Sequence, residues 1–333
     1  MSISKNTNIA VVIPSYRVKA FILDVISRIG ADISKIYVVD DCCPEKSGAY
    51  VTEHCLDPRV EVIWHTTNKG VGGAVLSGYA AAIKDGMDIM VKIDGDGQMD
   101  PALIPCFVGP ILAGAADYTK GNRFFNPEDV VSMPKIRIFG NAGLSFLTKF
   151  SSGYWSIFDP TNGYTAIHRD AAVLLPFDKL SLRYFFETDI LFRLNTVRAV
   201  VRDIPMRAHY GDEVSGLKIK KIFFEFLTKN IRNFLKRIFY NYYLRDMLIS
   251  SFELPAGLFL LTWGLVFGAF WWFNSLHTGT YASAGTVMLA ALPIILGIQL
   301  LLSFLSYDIQ SEPGKSGAIS LHVLTSHIPS GNP

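Results

Sequence analysis

The sequence predicts an α/β domain with a mainly parallel sheet, followed by two membrane-spanning helices. Over residues 1–215, short β-branched runs alternate with helical patterns, as they do in repeated βαβ units. Residues 254–307 contain no Asp, Glu, Lys or Arg, which is typical of helices surrounded by lipid. Half of the 333 residues are hydrophobic, so the chain has enough apolar side chains for a folded core and is not intrinsically disordered.

The α/β domain is assigned from runs of apolar and β-branched residues. The predicted strands are 9–13, 36–40, 60–65, 89–94, 118–121 and 200–204, and the predicted helices between them are 20–29, 73–84 and 101–112. Sheets of this kind bind ligands at the carboxyl ends of their strands. The residues that directly follow each run are therefore the candidates for chemistry.

Two apolar runs, 254–273 and 282–305, are each long enough to cross a bilayer. A helix that rises about 1.5 Å per residue needs roughly 20 residues to cross a hydrocarbon core of about 30 Å. A pair of buried core helices is the alternative, although soluble helices of this length rarely lack charge on every face. The polar link at 274–280 predicts a tight hairpin that returns the chain to its starting side.

A basic stretch precedes the first span. Residues 218–246 hold eight Lys or Arg against two acidic residues, in a chain whose net charge is only +2. The apolar residues of this stretch recur about every 3.6 residues, which predicts an amphipathic helix. This basic helix would lie in the headgroup plane of the membrane or, alternatively, dock on the globular domain. Because Lys and Arg beside a span stay cytoplasmic, both flanks are expected in the cytosol. The apolar run 9–13 is too short for a signal peptide.

Composition and spacing exclude several classes of protein. The small net charge argues against a nucleic-acid partner. The four cysteines have no CxxC pair and no His at zinc spacing, so we expect reduced thiols and no structural metal. The Gly-rich run 70–73 lacks the third glycine of a dinucleotide fingerprint, and no P-loop motif occurs, which disfavours Rossmann dehydrogenases and P-loop NTPases.

Carboxylates follow the second and fourth predicted strands. Asp40 and Asp41 could accept hydrogen bonds from a ribose or an imide edge, or could simply form a turn. In the run D-G-D-G-Q, Asp94 and Asp96 flank a glycine and Gln98 adds a neutral oxygen. Mg²⁺ commonly takes one or two carboxylates and then the phosphates of its substrate. The run therefore predicts a divalent metal site, with an Asp/Gly-rich turn as the alternative; the longer acidic repeat of a calcium loop is missing.

Four motifs in order carry a family resemblance. Residues 11–16 (V-V-I-P-S-Y), 38–41 (V-V-D-D), 68–74 (N-K-G-V-G-G-A) and 94–98 (D-G-D-G-Q) resemble the GT-A glycosyltransferases of family 2. With the C-terminal hairpin, the pattern is similar to the polyprenyl-phosphate glycosyltransferases, which include dolichol-phosphate mannose synthases and bacterial undecaprenyl-phosphate glucosyltransferases. The resemblance covers nearly the whole chain and implies a Rossmann-like GT-A fold.

By this resemblance, the donor pocket binds a nucleotide sugar and a metal. The nucleotide-sugar residues would be Pro14, Tyr16, Asp40, Asp41, Asn68, Gly70 and Asp94. Asp96 and Gln98, with Asp94, would hold Mg²⁺ or Mn²⁺ on the diphosphate. The chain departs from the family where Arg17-Val18 replaces the usual Asn-Glu, and where residues 209–218 alter the usual R-x-x-G-x-S-K ending. The base contact made by the missing acid is therefore lost or replaced.

The acceptor implied by the resemblance is a lipid phosphate, which needs cations beside it. Its oxygen is already anionic at neutral pH, so no strong general base is required. The candidate cations are Arg123 and Arg137, which follow the fifth strand. Ser215 and Lys218, in the altered ending, are further candidates for binding the acceptor phosphate. The alternative for each cation is that it is simply a solvated surface residue. Arg169 ranks behind them. Glu187 and Asp189 begin a helix where inverting GT-A enzymes place the acceptor-facing acid, although acids there also complement the helix dipole. Which of the two would act is left open.

Residues 159–164 (D-P-T-N-G-Y) would be the loop that closes over the sugar, or a tight turn. His209 is a further candidate, although a lone His is more often structural. The predicted catalytic residues are Asp94, Asp96, Glu187 and Asp189.

The leading hypothesis is a metal-dependent, inverting transfer of one sugar from a nucleotide sugar, preferably a UDP-sugar, to undecaprenyl phosphate at the inner membrane of a bacterium. The expected organisation is a catalytic domain over 1–215, juxtamembrane helices over 216–250, two spans over 251–307 and a cytoplasmic tail over 308–333. Self-association is a further expectation, since two spans are too few to enclose a lipid. The alternatives are a processive polysaccharide synthase and a catalytically silent, membrane-tethered binding protein; no Q-x-x-R-W motif supports the synthase.

Overall fold

A seven-stranded sheet organises the N-terminal part of the chain. The computed structural model describes residues 7–125, 135–207, 219–314 and 320–321. The described residues form two compact units, divided between Phe234 and Leu235 and again between Glu312 and Pro313. The sheet belongs to the first unit.

The strand order in the sheet is β3-β2-β1-β4-β6-β5-β7. The strands are β1 (Ile9–Ser15), β2 (Lys35–Asp40), β3 (Val60–Trp64), β4 (Ile89–Lys92), β5 (Tyr118–Asn122), β6 (Thr165–His168) and β7 (Val201–Pro205). All neighbouring pairs are parallel except those of β6, which runs antiparallel to both β4 and β5. The predicted mainly parallel α/β fold is confirmed. Strand β6 was not predicted; it has only four residues, which are directly followed by the helix that begins at Arg169.

Helices cover both faces of the sheet. They are α1 (Ile22–Ser27), α2 (Ser47–His54), α3 (Val71–Lys84), α4 (Ile104–Leu112), α5 (Lys135–Ser152), α6 (Arg169–Val173) and α7 (Phe186–Thr196), followed by α8 (Ile219–Phe239), α9 (Ile249–Thr278) and α10 (Ala284–Gln310). The predicted helix over 101–112 begins with one 3₁₀ turn at Pro101–Leu103 before α4.

Alternation along the central strands sorts the core into two layers. On β4, Met90 packs with side chains of α3 and α7, whereas Ile89 and Val91 pack with side chains of α1 and α4. Strands buried on both faces are the mark of a parallel sheet covered by helices. Because Lys92 follows Met90 by two residues, its side chain points to the α3 and α7 side.

The helix α8 carries an exposed apolar stripe. Phe224, Ile231, Leu235 and Phe239 are each at least half exposed, and their spacing of seven, four and four residues places them on one face. The amphipathic pattern predicted for the basic stretch is therefore present over the described part of this helix.

The second unit contains a pair of long apolar helices. Both α9 and α10 are long and apolar enough to cross a membrane, with mean hydropathy of 1.7 and 2.4 over their most apolar stretches. Only 11% of each stretch is buried, which argues against the alternative of soluble core helices. The helices approach closely: a Cβ on Gly264 would lie 2.7 Å from the carbonyl oxygen of Ala290.

A buried ion pair lies in the same unit. The guanidinium of Arg237 donates to both oxygens of Asp308 at 2.6 and 3.0 Å, and the hydroxyl of Tyr242 donates to the same carboxylate at 2.6 Å. Arg237 and Asp308 are each 2% exposed. The pair ties the end of α8 to the end of α10.

Candidate active site

The candidate residues collect at one edge of the sheet. Ser15 at the end of β1 pairs with Asp40 at the end of β2, and β4 runs parallel to β1 on its other side. The segments that follow these three strands therefore leave the sheet at the same edge, where α/β folds bind ligands. They carry Tyr16, Asp41 and Asp94.

The carboxylate of Asp40 is used inside the protein. It accepts hydrogen bonds from the backbone N–H of Cys43 at 2.7 Å and from that of Gly48 at 2.6 Å. Gly48 has no room for a side chain, since a Cβ there would lie 2.8 Å from Asp40. Asp40 is 3% exposed, and its carboxylate fixes the turn that leads into α2 and is not an open contact.

Asp41 performs a similar task for the segment before α3. Its Oδ1 accepts from Nδ1 of His65 at 2.7 Å and from the N–H of Lys69 at 2.8 Å, and its Oδ2 accepts from the N–H of Gly70 at 2.7 Å. The side-chain amide of Asn68 donates to the carbonyl of Asp41 at 3.2 Å. The predicted residues Asp41, Asn68 and Gly70 thus form one hydrogen-bonded cluster.

The segment after β1 presents an aromatic ring and a cation. Tyr16 is 43% exposed, and Cζ of Arg17 lies 5.5 Å from the centroid of its ring. Arg17 adopts a positive φ of 60°, and its N–H donates to Sγ of Cys43 at 3.1 Å. The departure at Arg17 therefore places a guanidinium beside Tyr16, while Pro14 is the next-to-last residue of β1.

The D-G-D-G-Q run makes a tight turn after β4. The side chain of Asp94 is 32% exposed, and Oδ1 of Asp96 accepts from the N–H of Gln98 at 3.0 Å. Gly97 has a φ of +79°, which favours glycine. No group of three or more His, Cys, Asp or Glu side chains arranged for a metal occurs among the described residues. Hard oxygens from Asp96 and Gln98 nevertheless suit a cation that substrate phosphates also bind.

A buried lysine contacts two of the four predicted acids, Asp94 and Glu187. Lys92 is 1% exposed, and its Nζ lies 3.1 Å from Oδ1 of Asp94 and 3.0 Å from Oε1 of Glu187. Burial by itself would lower the pKa of Lys92, but the charges of Asp94 and Glu187 more than offset it and raise that pKa above its ordinary value. Lys92 is therefore a cation held between two carboxylates.

The structure separates the two acids of α7. Glu187 contacts Lys92 and so lies next to the D-G-D-G-Q turn. Asp189 is 4% exposed, and it accepts from the N–H of Ser181 at 2.9 Å and from the amide of Asn233 at 2.9 Å. Of the pair left open by the sequence, Glu187 therefore lies beside this turn, whereas Asp189 contacts Ser181 and Asn233.

Arg123 is paired with an aspartate. Its Nε lies 2.7 Å from Oδ2 of Asp159, and one terminal nitrogen lies 3.0 Å from Oδ1. Asp159 is 1% exposed, so the pair fixes the guanidinium at the start of the 159–164 loop. Arg137 belongs to the first turn of α5. Ser215, Lys218 and His209 lie outside the described residues.

The 159–164 loop is also held from β5. The Nζ of Lys120, which is fully buried, donates to the carbonyl of Asn162. The side-chain oxygen of Asn162 accepts from the N–H of Tyr164 at 2.9 Å, as in a tight turn. Burial lowers the pKa of Lys120 to about 8. Lys120 and Lys92 both pair in register with Thr165 of β6, so the two buried lysines lie in one row across three strands.

The sequence reading did not single out Lys92, Lys120, His65 or Gly163. One signal was available: a lysine within an otherwise apolar strand, two residues before Asp94, needs a counter-ion if it is buried. The partner of Lys92 could not be read from the chain, since Glu187 is 95 residues away.

The sequence is similar to those of known glycosyltransferases. The family model of glycosyl transferase family 2 matches residues 10–174. The UDP-N-acetylglucosamine–dolichyl-phosphate N-acetylglucosaminyltransferase of Methanococcus voltae is 28% identical over 218 residues, which cover 61% of this chain and 86% of that protein. The polyprenol monophosphomannose synthase of Mycolicibacterium smegmatis is 27% identical over 236 residues, covering 68% and 88%.

Solved structures show the same fold. Glucosyl-3-phosphoglycerate synthase from Mycobacterium tuberculosis, in complex with Mg²⁺ and UDP, superposes with a TM-score of 0.53 at 18% identity, covering 70% of this chain and 79% of that one. The undecaprenyl-phosphate mannosyltransferase of Micrococcus luteus is a further relative, 28% identical over 175 residues that cover 52% of this chain and 71% of that protein. Residues 10–174 are a glycosyltransferase family 2 domain, and the sheet domain of the chain has the GT-A fold.

Proposed function

We propose that this enzyme transfers one sugar, with inversion, from a nucleotide sugar to a polyprenyl phosphate. The observation that carries the proposal is the meeting of the Asp94–Gln98 turn and Glu187 at the carboxyl edge of the sheet, linked through Lys92. The names of three relatives, each including a polyprenyl or dolichyl phosphate, support the acceptor class. A UDP-sugar is the favoured donor, because the Methanococcus voltae relative is named for one.

Asp96 and Gln98 would hold Mg²⁺ or Mn²⁺, with Asp94 adjoining them. When bound, the metal would offset the charge that builds on the departing nucleoside diphosphate. Solved structures of the Mycobacterium tuberculosis synthase contain Mn²⁺ or Mg²⁺ together with UDP, which supports a metal in this fold.

The acceptor needs little activation by the protein. The second proton of a phosphate monoester leaves near pH ~6, so its oxygen is already anionic at neutral pH. Glu187, held by Lys92 at 3.0 Å, would orient the acceptor instead of deprotonating it. Arg123, fixed by Asp159, would supply positive charge near the acceptor phosphate. Arg137, Ser215 and Lys218 stay candidates for the same phosphate.

A membrane location is part of the proposal. The two apolar helices and the exposed stripe of α8 fit a protein that meets its lipid acceptor at the bilayer. Residues after the hairpin belong to the first unit, where Ser320 donates to the carbonyl of Gly114 at 2.8 Å, and this supports a chain that crosses twice. With the basic stretch on the cytoplasmic side, the sheet domain would face the cytosol of a bacterial inner membrane. The product would be a lipid-linked monosaccharide for envelope glycans.

The test uses the full chain in detergent with Mn²⁺, undecaprenyl phosphate and a panel of radiolabelled nucleotide sugars. A monoglycosylated lipid supports the proposal, a polymer would indicate a processive synthase, and nucleotide binding without turnover would indicate a silent binding protein. Asp96→Ala should abolish turnover and leave the fold intact. Full activity in that variant would remove the metal site from the mechanism.

Arg123→Ala tests the acceptor side of the same proposal. We expect the KM for the lipid phosphate to rise by about tenfold or more, because a charge-assisted contact is lost, with less effect on the donor. The matched control is Arg169→Ala. This arginine follows β6 at the edge of the sheet where β4 begins, whereas the Asp94–Gln98 turn follows the other end of β4. An unchanged dependence on lipid phosphate in Arg123→Ala would reject the role given to Arg123.

A further inference from the structure

The Lys92 side chain lies between the two acids to which the proposed function gives donor and acceptor roles. Asp94 belongs to the turn that follows β4, and Glu187 to the first turn of α7, 95 residues further along the chain. The Nζ of Lys92 lies within 3.1 Å of an oxygen from each. One side chain therefore sets the spacing between two acids that the fold brings together from distant segments.

The burial of this lysine excludes a role as an ordinary surface cation. Lys92 is 1% exposed in its side chain and Glu187 is 10% exposed, whereas Asp94 is 32% exposed. A buried ammonium is tolerated only with close counter-charges, and breaking such a group leaves an uncompensated charge. Glu187 is thus the buried partner of the ammonium, and Asp94 is its more exposed partner.

Gly163 leaves the space that this arrangement requires. A Cβ on Gly163 would lie 2.3 Å from Nζ of Lys92 and 2.7 Å from Oδ2 of Asp94. Gly163 is part of the 159–164 loop, which Lys120 and the Arg123–Asp159 pair hold in place. Any side chain at this position would have to displace the ammonium or the carboxylate.

We infer that Lys92 is a positioning residue, which fixes Asp94 and Glu187 relative to each other and depends on Gly163 for its space. The inference deepens the proposed function and rests on it for the reaction concerned. Lys92 contacts the two acids and acts through them on the donor and the acceptor. Its loss should therefore affect turnover more than the affinity for the nucleotide.

The first test is a double-mutant cycle with Lys92→Met and Glu187→Gln in the full-length chain in detergent. Lys92→Met keeps the length of the side chain and removes its charge. We expect kcat to fall about 100-fold, the scale of a small misplacement of reacting groups, while the Kd for UDP changes less than about threefold. In the Glu187→Gln background, the same change should cost less than about threefold, because the partner that Lys92 positions is already altered.

The second test moves the ammonium without removing its charge. Gly163→Ala should lower kcat at least about tenfold, since the new methyl group competes with Nζ for its space. Gly109→Ala is the matched control, because a Cβ on that helical glycine of α4 meets no atom within 4 Å. We expect Gly109→Ala to keep the wild-type kcat.

Three results would overturn the inference: a wild-type kcat in Lys92→Met, a wild-type kcat in Gly163→Ala, or effects of Lys92→Met and Glu187→Gln that simply multiply. Thermal unfolding without substrates provides an independent readout. Lys92→Met should lower Tm, because it leaves the buried Glu187 carboxylate without its cation. Adding Glu187→Gln should restore part of the loss, because it removes that unpaired charge. If the wild-type chain glycosylates no polyprenyl phosphate, the proposed function fails, while the coupling in Tm still confirms or rejects the contact.

Discussion

Replacing Asp203 with Asn should stabilise the folded chain at neutral pH. Asp203 lies on β7, where its Oδ2 accepts from the amide of Asn122 at 2.8 Å and from the N–H of Phe158 at 3.2 Å. Its Oδ1 is buried with no hydrogen-bond partner among the described residues. Burial raises the pKa of Asp203 to about 6 from an ordinary value of 3.8, so ionisation of this carboxyl opposes folding.

The sign and size follow from proton linkage. Between pH 3.8 and about 6 the folded chain binds this proton and the unfolded chain has lost it, so the contribution of Asp203 to stability decreases as pH rises. A difference of about two pKa units is worth about 3 kcal/mol at about 1.4 kcal/mol per unit. Asp203→Asn removes this dependence. The difference in unfolding free energy between Asp203→Asn and the wild type should therefore grow by up to about 3 kcal/mol as the pH rises from about 4 to 7.

The assay is thermal unfolding of the full chain in detergent at several pH values. For a domain of this size, about 3 kcal/mol corresponds to a relative rise in Tm of about 6–12 °C. The control is Asp178→Asn, which makes the same substitution at an exposed aspartate. A difference between Asp203→Asn and wild type that stays constant from pH 4 to pH 7 would refute the reasoning, because only the titration of the buried carboxyl makes it vary.

Two further predictions concern the membrane unit. Asp308→Ala leaves the buried guanidinium of Arg237 without its carboxylate, and we expect a loss of about 3–5 kcal/mol in thermal or denaturant unfolding in detergent; an unchanged midpoint would show that the pair contributes nothing. Gly264→Val adds a branched side chain where a Cβ alone would lie 2.7 Å from the carbonyl oxygen of Ala290, so Tm should fall. The control is Gly285→Ala, which should leave Tm unchanged, because a Cβ there would lie 3.8 Å from the nearest atom. Equal midpoints for these two glycine variants would contradict the close packing of the helices.

The sequence alone was sufficient for the features that local patterns encode. Alternating apolar runs located six of the seven strands, and two long runs without charge located the helices α9 and α10. Both signals are local, because burial of a strand or a helix in lipid is written in successive residues. The order of the motifs also identified family 2, which the family model confirms over residues 10–174.

The tertiary structure decided which of the marked residues meet. Asp40 and Asp41 were expected as ligand contacts, and the fold gives both of them backbone N–H partners. Glu187 and Asp189 are neighbours on α7, yet their side chains have different partners. No local pattern distinguishes these cases, because the partner of each carboxylate comes from another segment of the chain.

The Lys92 contacts illustrate the same division. The sequence determined that a lysine lies in an apolar strand, two residues before Asp94. Only folding decided that Glu187 approaches it from 95 residues away and that Gly163 leaves room for its ammonium. The physical reason is that a buried charge is stabilised by whichever atoms surround it in space, and chain order does not specify those atoms.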